Sequence, residues 1–326
     1  MNLLITGGTG FFGRALIKHL EAQRLADGGS CNFEQVTVLS RSPEKFCLRY
    51  PALAKLPWIA WHTGDVLRPE SLPQQRGFDH ILHAAADSTD AAGLTPLQTY
   101  RQIVVGTENM LNFAIQHGTQ RFLFISSGGV YGPQPADLAL IPESFNRIPD
   151  PLSVSSTYGI AKRQAEHLCT LYGQQFGLET VIARCFAFVG EDLPMNAHFA
   201  IGNFIRDALK HTEITVNGNG SPIRSYLHQS DLAHWLITLL RYGVTGNAYN
   251  VGSDESISIL ELANLVRELL SPHKQVNILA APNSTTLRNR FIPDIAKARE
   301  DLGLLVTINL KNAIRLAAKD VSTDLY

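Results

Sequence analysis

Tyr158 and Lys162 stand four residues apart in the stretch Ser156-Thr157-Tyr158-Gly159-Ile160-Ala161-Lys162. On a helix that spacing puts both side chains on one face. A phenol ionises near pH ~10 and is a poor base at neutrality, but a neighbouring ammonium favours its ionised form. Such a pair can take a proton from a hydroxyl, or return one to a carbonyl, while hydride moves at the same carbon. Upstream, the apolar run Phe122–Ile125 ends in Ser126-Ser127-Gly128-Gly129-Val130-Tyr131-Gly132. The Ser127 hydroxyl is placed to hold the same oxygen and polarise the carbonyl. Ser127, Tyr158 and Lys162 are therefore the catalytic candidates. Tyr-x-x-x-Lys also arises by chance, as a core tyrosine beside a surface lysine, so the elements that position it must decide.

The first of these elements is at the start of the chain. Asn2-Leu3-Leu4-Ile5 runs into Thr6-Gly7-Gly8-Thr9-Gly10-Phe11-Phe12-Gly13, followed by the helix-like Ala15–Leu20. Strand, tight turn and helix with glycines at Gly7, Gly10 and Gly13 predict a dinucleotide site. Gly7 permits the turn, Gly10 leaves room for a pyrophosphate, and Gly13 lets helix and strand pack closely. The amides opening the helix face the phosphates. Further apolar runs (Val36–Leu39, Ile81–Leu82, Phe122–Ile125, Thr180–Ile182, Ala248–Val251) alternate with helical patterns such as Thr107–His117 and Tyr158–Phe176. That alternation predicts an α/β fold, a doubly wound parallel sheet with ligands at the carboxyl ends of its strands. After the second run come Ser40 and Arg41, where an NAD site usually has an acid. A hydroxyl and a guanidinium suit a 2′-phosphate, so NADP is preferred over NAD.

Together these motifs resemble the extended branch of the short-chain dehydrogenase/reductase family, whose members modify nucleotide sugars, and the resemblance runs along essentially the whole chain. It implies that Phe11 and Phe12 of the turn, Asp65 and Val66, and Ala84, Ala85 and Ala86 after His83 line the cofactor. Asp65 and Val66 would touch the adenine, Tyr158 and Lys162 the nicotinamide end, with Lys162 on the ribose. The polar segment Asp87–Gln98 would line the site mouth. Arg224, in Arg224-Ser225-Tyr226-Leu227-His228, is implied as the diphosphate ligand of a nucleoside-diphosphate sugar, while His228 and Asp231 are structural, Asp231 capping a helix from Leu232. The stretch Met195–Lys210, with His198, Phe199 and Asn203, would cap the nucleotide. Two family asparagines are replaced, by Ile103 and by Ala187. The late Asp294-Ile295-Ala296-Lys297-Ala298 resembles the family's helix start; its upstream arginine is absent at Ser284, with Arg288 or Arg290 as substitutes. In the family's 4,6-dehydratases, acidic residues after the active-site hydroxyl drive elimination. Here Gly128-Gly129 stand there, which disfavours dehydration.

Composition bounds the rest. The 326 residues carry 45% hydrophobic and 17% charged side chains with net charge -1, an ordinary globular balance with no electrostatic case for nucleic acid or membrane partners. Cys31, Cys47, Cys169 and Cys185 form no paired motif, so neither a metal site nor a disulfide frame is expected. The chain shows no leader and no run long enough to span a bilayer, and a cytoplasmic protein is expected. A Rossmann domain of residues 1–186 plus 227–252 would carry a smaller C-terminal substrate-binding cap of 187–226 plus 253–326. The expected activity is NAD(P)-dependent redox chemistry at C4 of a nucleoside-diphosphate sugar, as a 4-keto-sugar reductase or a 4-epimerase. A homodimer through the helices Tyr100–His117 and Tyr158–Phe176 is implied by the resemblance. The competing reading is a non-catalytic NAD(P)-binding sensor or scaffold on the same fold.

Overall fold

The computed structural model describes residues 1–26, 33–75, 77–86, 93–197, 199–279 and 290–323. Its strands are β1 (Asn2–Thr6), β2 (Gln35–Ser40), β3 (Ile59–Thr63), β4 (His80–His83), β5 (Arg121–Ser127), β6 (Glu179–Cys185) and β7 (Phe188–Val189). They continue as β8 (Ile214–Asn217), β9 (Ile223–Arg224), β10 (Leu227–His228), β11 (Ala248–Val251), β12 (Ile257–Ser258), β13 (Val276–Leu279) and β14 (Arg290–Phe291). The helices are α1 (Phe11–Ala26), α2 (Pro43–Arg49), α3 (Pro51–Ala54), α4 (Pro96–His117) and α5 (Thr157–Phe176). After them come α6 (Ala200–Lys210), α7 (Gln229–Tyr242), α8 (Ile259–Leu270), α9 (Ala296–Leu302) and α10 (Leu310–Thr323).

Seven strands form one sheet in the order β11-β6-β5-β4-β1-β2-β3, every pair parallel. A parallel sheet buries both faces, so its strands read as continuous apolar runs rather than alternating ones. Leu3, Leu4 and Ile5 of β1 all have no exposed surface. One face packs with Leu16 and Leu20 of α1 and Trp235 and Leu239 of α7, the other with Met110 and Phe113 of α4 and Ala165 of α5. The order reverses between β1 and its neighbours β2 and β4, and the crevice at that switch point is where such sheets take ligands. This is the doubly wound Rossmann architecture that the strand–helix alternation predicts.

A smaller layer is built from α6, α8 and α10 with the parallel pair β8–β13, around Phe204, Ile205, Leu262, Val266 and Ile314. The short strands β9, β12 and β14 form a second small sheet beside it. Residues of this layer come from 189–226, 257–276 and 308–318, whereas Ile295, Ala298 and Leu304, in and around α9, pack with the core of the large sheet.

Helix limits shift from the sequence expectation for local reasons. The helix expected over Tyr100–His117 begins already at Pro96, because Thr95 and Gln98 close a capping box around a proline at the first helical position, whose missing N–H costs nothing there. Ile257 and Ser258 pair with β9 before α8 starts behind its own Ser258–Glu261 box. Asp294 does not open its helix; it stays outside and accepts the Ala296 amide at 2.9 Å. Asp231 corrects another expectation. His228 is the N-cap of α7, accepting the Ser230 amide, whereas the Asp231 carboxylate reaches out to the amides of Thr307 and Ile308, both at 3.0 Å.

Candidate active site

The carboxyl ends of β1, β2, β4, β5 and β6 open on one cavity of about 790 Å³, which extends to the cap. Its floor is the glycine turn. Gly7 has φ 71°, and a Cβ there would sit 2.7 Å from the Ala84 carbonyl oxygen, so only glycine lets β4's continuation pass this close. Gly10 lines the cavity with Phe11 and Phe12, at the amide-rich start of α1. Gly13 does not reach the cavity. A Cβ on it would lie 2.0 Å from the Gly8 carbonyl oxygen, which is the close helix–turn packing expected of the third glycine.

The neighbouring strand ends are tied together by buried hydrogen bonds. Thr6 Oγ1 accepts the Ala84 and Ala85 amides, both at 3.1 Å, so its single proton goes to His83 Nδ1 at 2.7 Å. His83 Nε2 then donates to Thr107 Oγ1 at 3.2 Å. Burial, then the Lys162 charge, pushes His83 down to about 3, which keeps the imidazole neutral as this arrangement requires. Ala84, Ala85 and Ala86 line the cavity, as do Asp65 and Val66. The Val66 carbonyl accepts from Asn109 Nδ2 at 2.9 Å, and Asp65 Oδ1 accepts the Leu67 amide. Ser40 and Arg41 lie at the same end, with Ser40 Oγ 3.2 Å from Thr9 Oγ1. A glycine cradle and a hydroxyl–guanidinium pair at the end of β2 fit a nicotinamide dinucleotide, including one with a 2′-phosphate.

Ser127, Tyr158 and Lys162 meet at the far end of this cavity. Their meeting depends on glycines in both partners: a Cβ on Gly159 would come within 2.4 Å of the Gly129 carbonyl oxygen, so α5 lies directly on the turn after β5. The Ser127 hydroxyl stands near the Tyr158 phenol and favours its ionised form. Ser127 Oγ also accepts the Gly129 amide at 3.0 Å. Lys162 is buried, its Nζ donating to the Ile125 carbonyl at 2.7 Å and standing 5.8 Å from the Tyr158 ring centroid.

One electrostatic expectation is corrected. Burial holds the Tyr158 phenol well above its ordinary range; Cys185 adds to this, and the nearby Ser127 hydroxyl opposes it. The Lys162 ammonium, which donates to the Ile125 carbonyl, does not outweigh this burial. Tyr158 is thus a phenol in the protein's own environment and a proton donor at neutral pH. Burial also lowers Lys162, to about 8, against the opposing influence of Cys185 and Glu166.

A buried polar network stands behind the triad. Glu166, one turn beyond Lys162, accepts from Ser126 Oγ at 2.5 Å and from Arg184 Nη2 at 2.7 Å. Arg184 donates on to the Tyr131 hydroxyl at 2.9 Å, which donates to Asn250 Oδ1 at 2.8 Å. Burial works against the Arg184 cation, but its bonds and proximity to Glu166 outweigh this and raise its pKa.

Arg224, on β9, lines the cavity from the cap side with Tyr226 and Asn217. Ile103 is buried among Leu4, Met110 and Phe124, so the family's polar position has become core. Its neighbour Gln102 lines the cavity, as do Phe186, Phe188 and Cys185, none of which was singled out from the sequence as a site residue. Gln102 stands in the polar run Gln98-Thr99-Tyr100-Arg101-Gln102 and reads as a solvated helix position; the phenylalanines read as ordinary core. Residues 87–92, His198, Ser284 and Arg288, to which roles were assigned, lie outside the described residues, as does Cys31. Arg290 is described, at the start of β14. Among the described residues no cluster of metal-binding side chains occurs, and no helix is long and apolar enough to cross a membrane.

Known proteins similar to this chain show its family and its fold. UDP-glucuronic acid decarboxylase 1 of Danio rerio is 30% identical, over 99% of this chain and 73% of its own length. UDP-glucuronic acid decarboxylase 3 of Arabidopsis thaliana is 31% identical, over 98% and 89%. In fold, the chain is similar to the dTDP-glucose 4,6-dehydratase DesIV of Streptomyces venezuelae, solved with NAD bound, at a TM-score of 0.84, 23% identity and coverage of 99% and 98%. It is likewise similar to the UDP-glucuronic acid 4-epimerase of Bacillus cereus, solved in complex with NAD, at 0.82, 21% and full coverage of both chains. The sequence pattern of the NAD dependent epimerase/dehydratase family matches residues 3–252, and the chain belongs to that family.

Proposed function

We propose that this protein transfers hydride at C4 of a nucleoside-diphosphate sugar, most simply as a 4-keto-sugar reductase using NADPH. The observation that carries this reading is that Ser127, Tyr158 and Lys162 line one cavity together with the glycine turn, the phenol protonated and beside the Ser127 hydroxyl. Hydride exchange is the chemistry supplied by a nicotinamide dinucleotide bound along Gly7, Gly10, Phe11, Phe12, Arg41, Asp65, Val66 and Ala84–Ala86. Ser127 donates a hydrogen bond to the C4 carbonyl oxygen and polarises it. As hydride adds to C4, Tyr158 gives its phenolic proton to that oxygen, and ketone plus hydride plus proton become the carbinol. Lys162 helps to hold the cofactor's ribose and keeps a positive charge beside the phenolate that is left. Arg224 pairs with the diphosphate. Ser40 and Arg41 support NADP over NAD. A homodimer through α4 and α5 belongs to the same reading, and the exposed Val105, Leu171 and Phe176 on those helices support it. The molar mass in solution tests it.

A second reading draws on the curated relatives, which are named as UDP-glucuronic acid decarboxylases. Oxidation at C4 of a hexuronic acid places a carbonyl β to the carboxylate, so carbon dioxide can leave before hydride returns. Gly128 and Gly129, which bring no acid or base beside Ser127, favour simple hydride transfer over a reaction with an added bond-breaking step.

The test is a turnover screen with NADPH and NADH supplied separately. Nucleotide-linked 4-keto-6-deoxy sugars, UDP-glucose and UDP-glucuronic acid are the substrates. Stoichiometric NADPH loss with a keto sugar is expected, and Tyr158→Phe should lower turnover by roughly 10²–10⁴-fold while cofactor still binds. Sugar inversion without net cofactor change would make the protein an epimerase, and carbon dioxide release a decarboxylase. Unchanged turnover in Tyr158→Phe would remove the mechanism. Tight cofactor binding with no sugar turned over would return the protein to a sensor or scaffold.

A further inference from the structure

We propose that Phe186, backed by Phe291, makes the sugar end of this cavity selective for a nucleotide-linked 6-deoxy sugar, its C6 methyl lying on the Phe186 ring. The inference rests on the C4 reading above.

The backbone of Gly128 follows Ser127 directly and is covered by two rings. A Cβ on Gly128 would stand 2.6 Å from Phe291 Cζ and 2.9 Å from Phe186 Cε1 and Cζ. The rings are paired at 4.6 Å between centroids, and Tyr131 lies 6.3 Å from Phe186. Phe186 itself lines the cavity, between Cys185 and Ala187. Burial pushes the Cys185 thiol up, so it stays uncharged. The cavity that Ser127 lines thus has an apolar wall in Phe186, just after β6, with Phe291 of β14 packed against that ring.

A hexose held by its C4 oxygen has two ring carbons next to the reacting one, and of these C5 alone carries an exocyclic carbon. That carbon is a methyl in a 6-deoxy sugar, a hydroxymethyl in a hexose and a carboxylate in a uronic acid. Ring edges offer neither charge nor hydrogen bond to the last two, and burying an unpaired carboxylate is costly. Two cations line this half of the cavity. Lys162 is engaged by the Ile125 carbonyl, and Arg224 pairs in register with Phe291 across β9 and β14. A uronic carboxylate drawn to Arg224 is therefore the rival outcome.

The experiment compares matched UDP- and dTDP-linked 6-deoxyhexose, hexose and hexuronic acid with the purified full chain. Oxidation is followed by nicotinamide reduction and binding by calorimetry. A preference for the deoxy sugar of about 10–100-fold in kcat/KM over the hexose is expected, carried mainly by KM, since an added hydroxyl is only moderately rejected by an apolar pocket. Phe186→Gln should shrink that ratio at least severalfold, and Phe291→Leu, which keeps an apolar side chain, should shrink it less. Equal values for methyl and hydroxymethyl sugars, or tightest binding of the uronic acid, would overturn the assignment while leaving C4 chemistry standing. If no sugar turns over, the C4 reading fails, and the calorimetric ranking still decides the pocket: no deoxy preference there overturns it.

Discussion

Lys162 carries its ammonium inside the fold, lowered to about 8 by burial and supported by Glu166 one helical turn away. Because Tyr158 is held far above neutrality, the alkaline limb of activity belongs to the lysine. The cation is present below about pH 8 and is lost as the pH rises through it, so kcat/KM should fall there. Replacing Glu166 by Gln removes the anion that favours the ammonium, and the limb should move to lower pH. Glu166→Asp, which keeps the charge, should restore it. A limb that stays in place in Glu166→Gln, read from pH–rate profiles, would reduce Glu166 to a packing role. Glu166 was not legible as part of the site, because its partners Ser126 and Arg184 come from two other strands and only the sheet's register brings them together. Ser127, Tyr158 and Lys162 were legible because helix spacing and strand ends are local properties. The direction of the Lys162 side chain was not, since the Ile125 carbonyl that captures it belongs to another element.

At the scale of elements, glycines decide how closely strand, turn and helix approach. The strand–turn–helix unit could be read directly, because Gly7, Gly10 and Gly13 punctuate an apolar run and an amphipathic one. The small strands β9, β12 and β14 could not: two residues each are too short for any periodicity, and their pairing partners are distant in sequence. Gly13→Ala tests the glycine argument. Its methyl would meet the Gly8 backbone at 2.0 Å, and backbone cannot swing aside as a flexible side chain can. Helix α1 must then move away from the turn, pulling its amides from the phosphate position. Cofactor affinity should weaken at least tenfold, with overpacking costing about 1–3 kcal/mol of stability. Fluorescence titration with NADPH beside thermal unfolding reads both. Cofactor affinity equal to the parent's would mean that the close approach does not set the phosphate position.

Across the whole molecule, the question is how the large sheet and the smaller layer hold one geometry, since the cavity takes Tyr158 from one and Arg224 and Tyr226 from the other side. Asp192, just before the cap helix α6, is gripped by Lys18 of α1 at 2.9 Å and by Gln229 of α7 at 2.9 Å. Asp231, in α7, is a second tie. Its buried carboxylate takes the amides of Thr307 and Ile308 and the Thr307 hydroxyl, which fixes the chain just before α10 enters the cap core. In Asp231→Ala these donors lose their acceptor together. Hydrogen bonds to a charged group contribute about 1.5–3 kcal/mol each, less whatever water recovers at the exposed Thr307 and half-buried Ile308. The loss should fall first on α10, and then on α6 and α8, which pack against it around Ile314 and Phe204. Hydrogen exchange should show weakened protection through these three helices while β1, β4 and β5 stay protected. KM for the sugar should rise more than the Kd for the cofactor. Uniform loss of protection through sheet and cap would instead show that the two halves unfold as one unit, with Asp231 a general stabiliser and not a hinge-side tie.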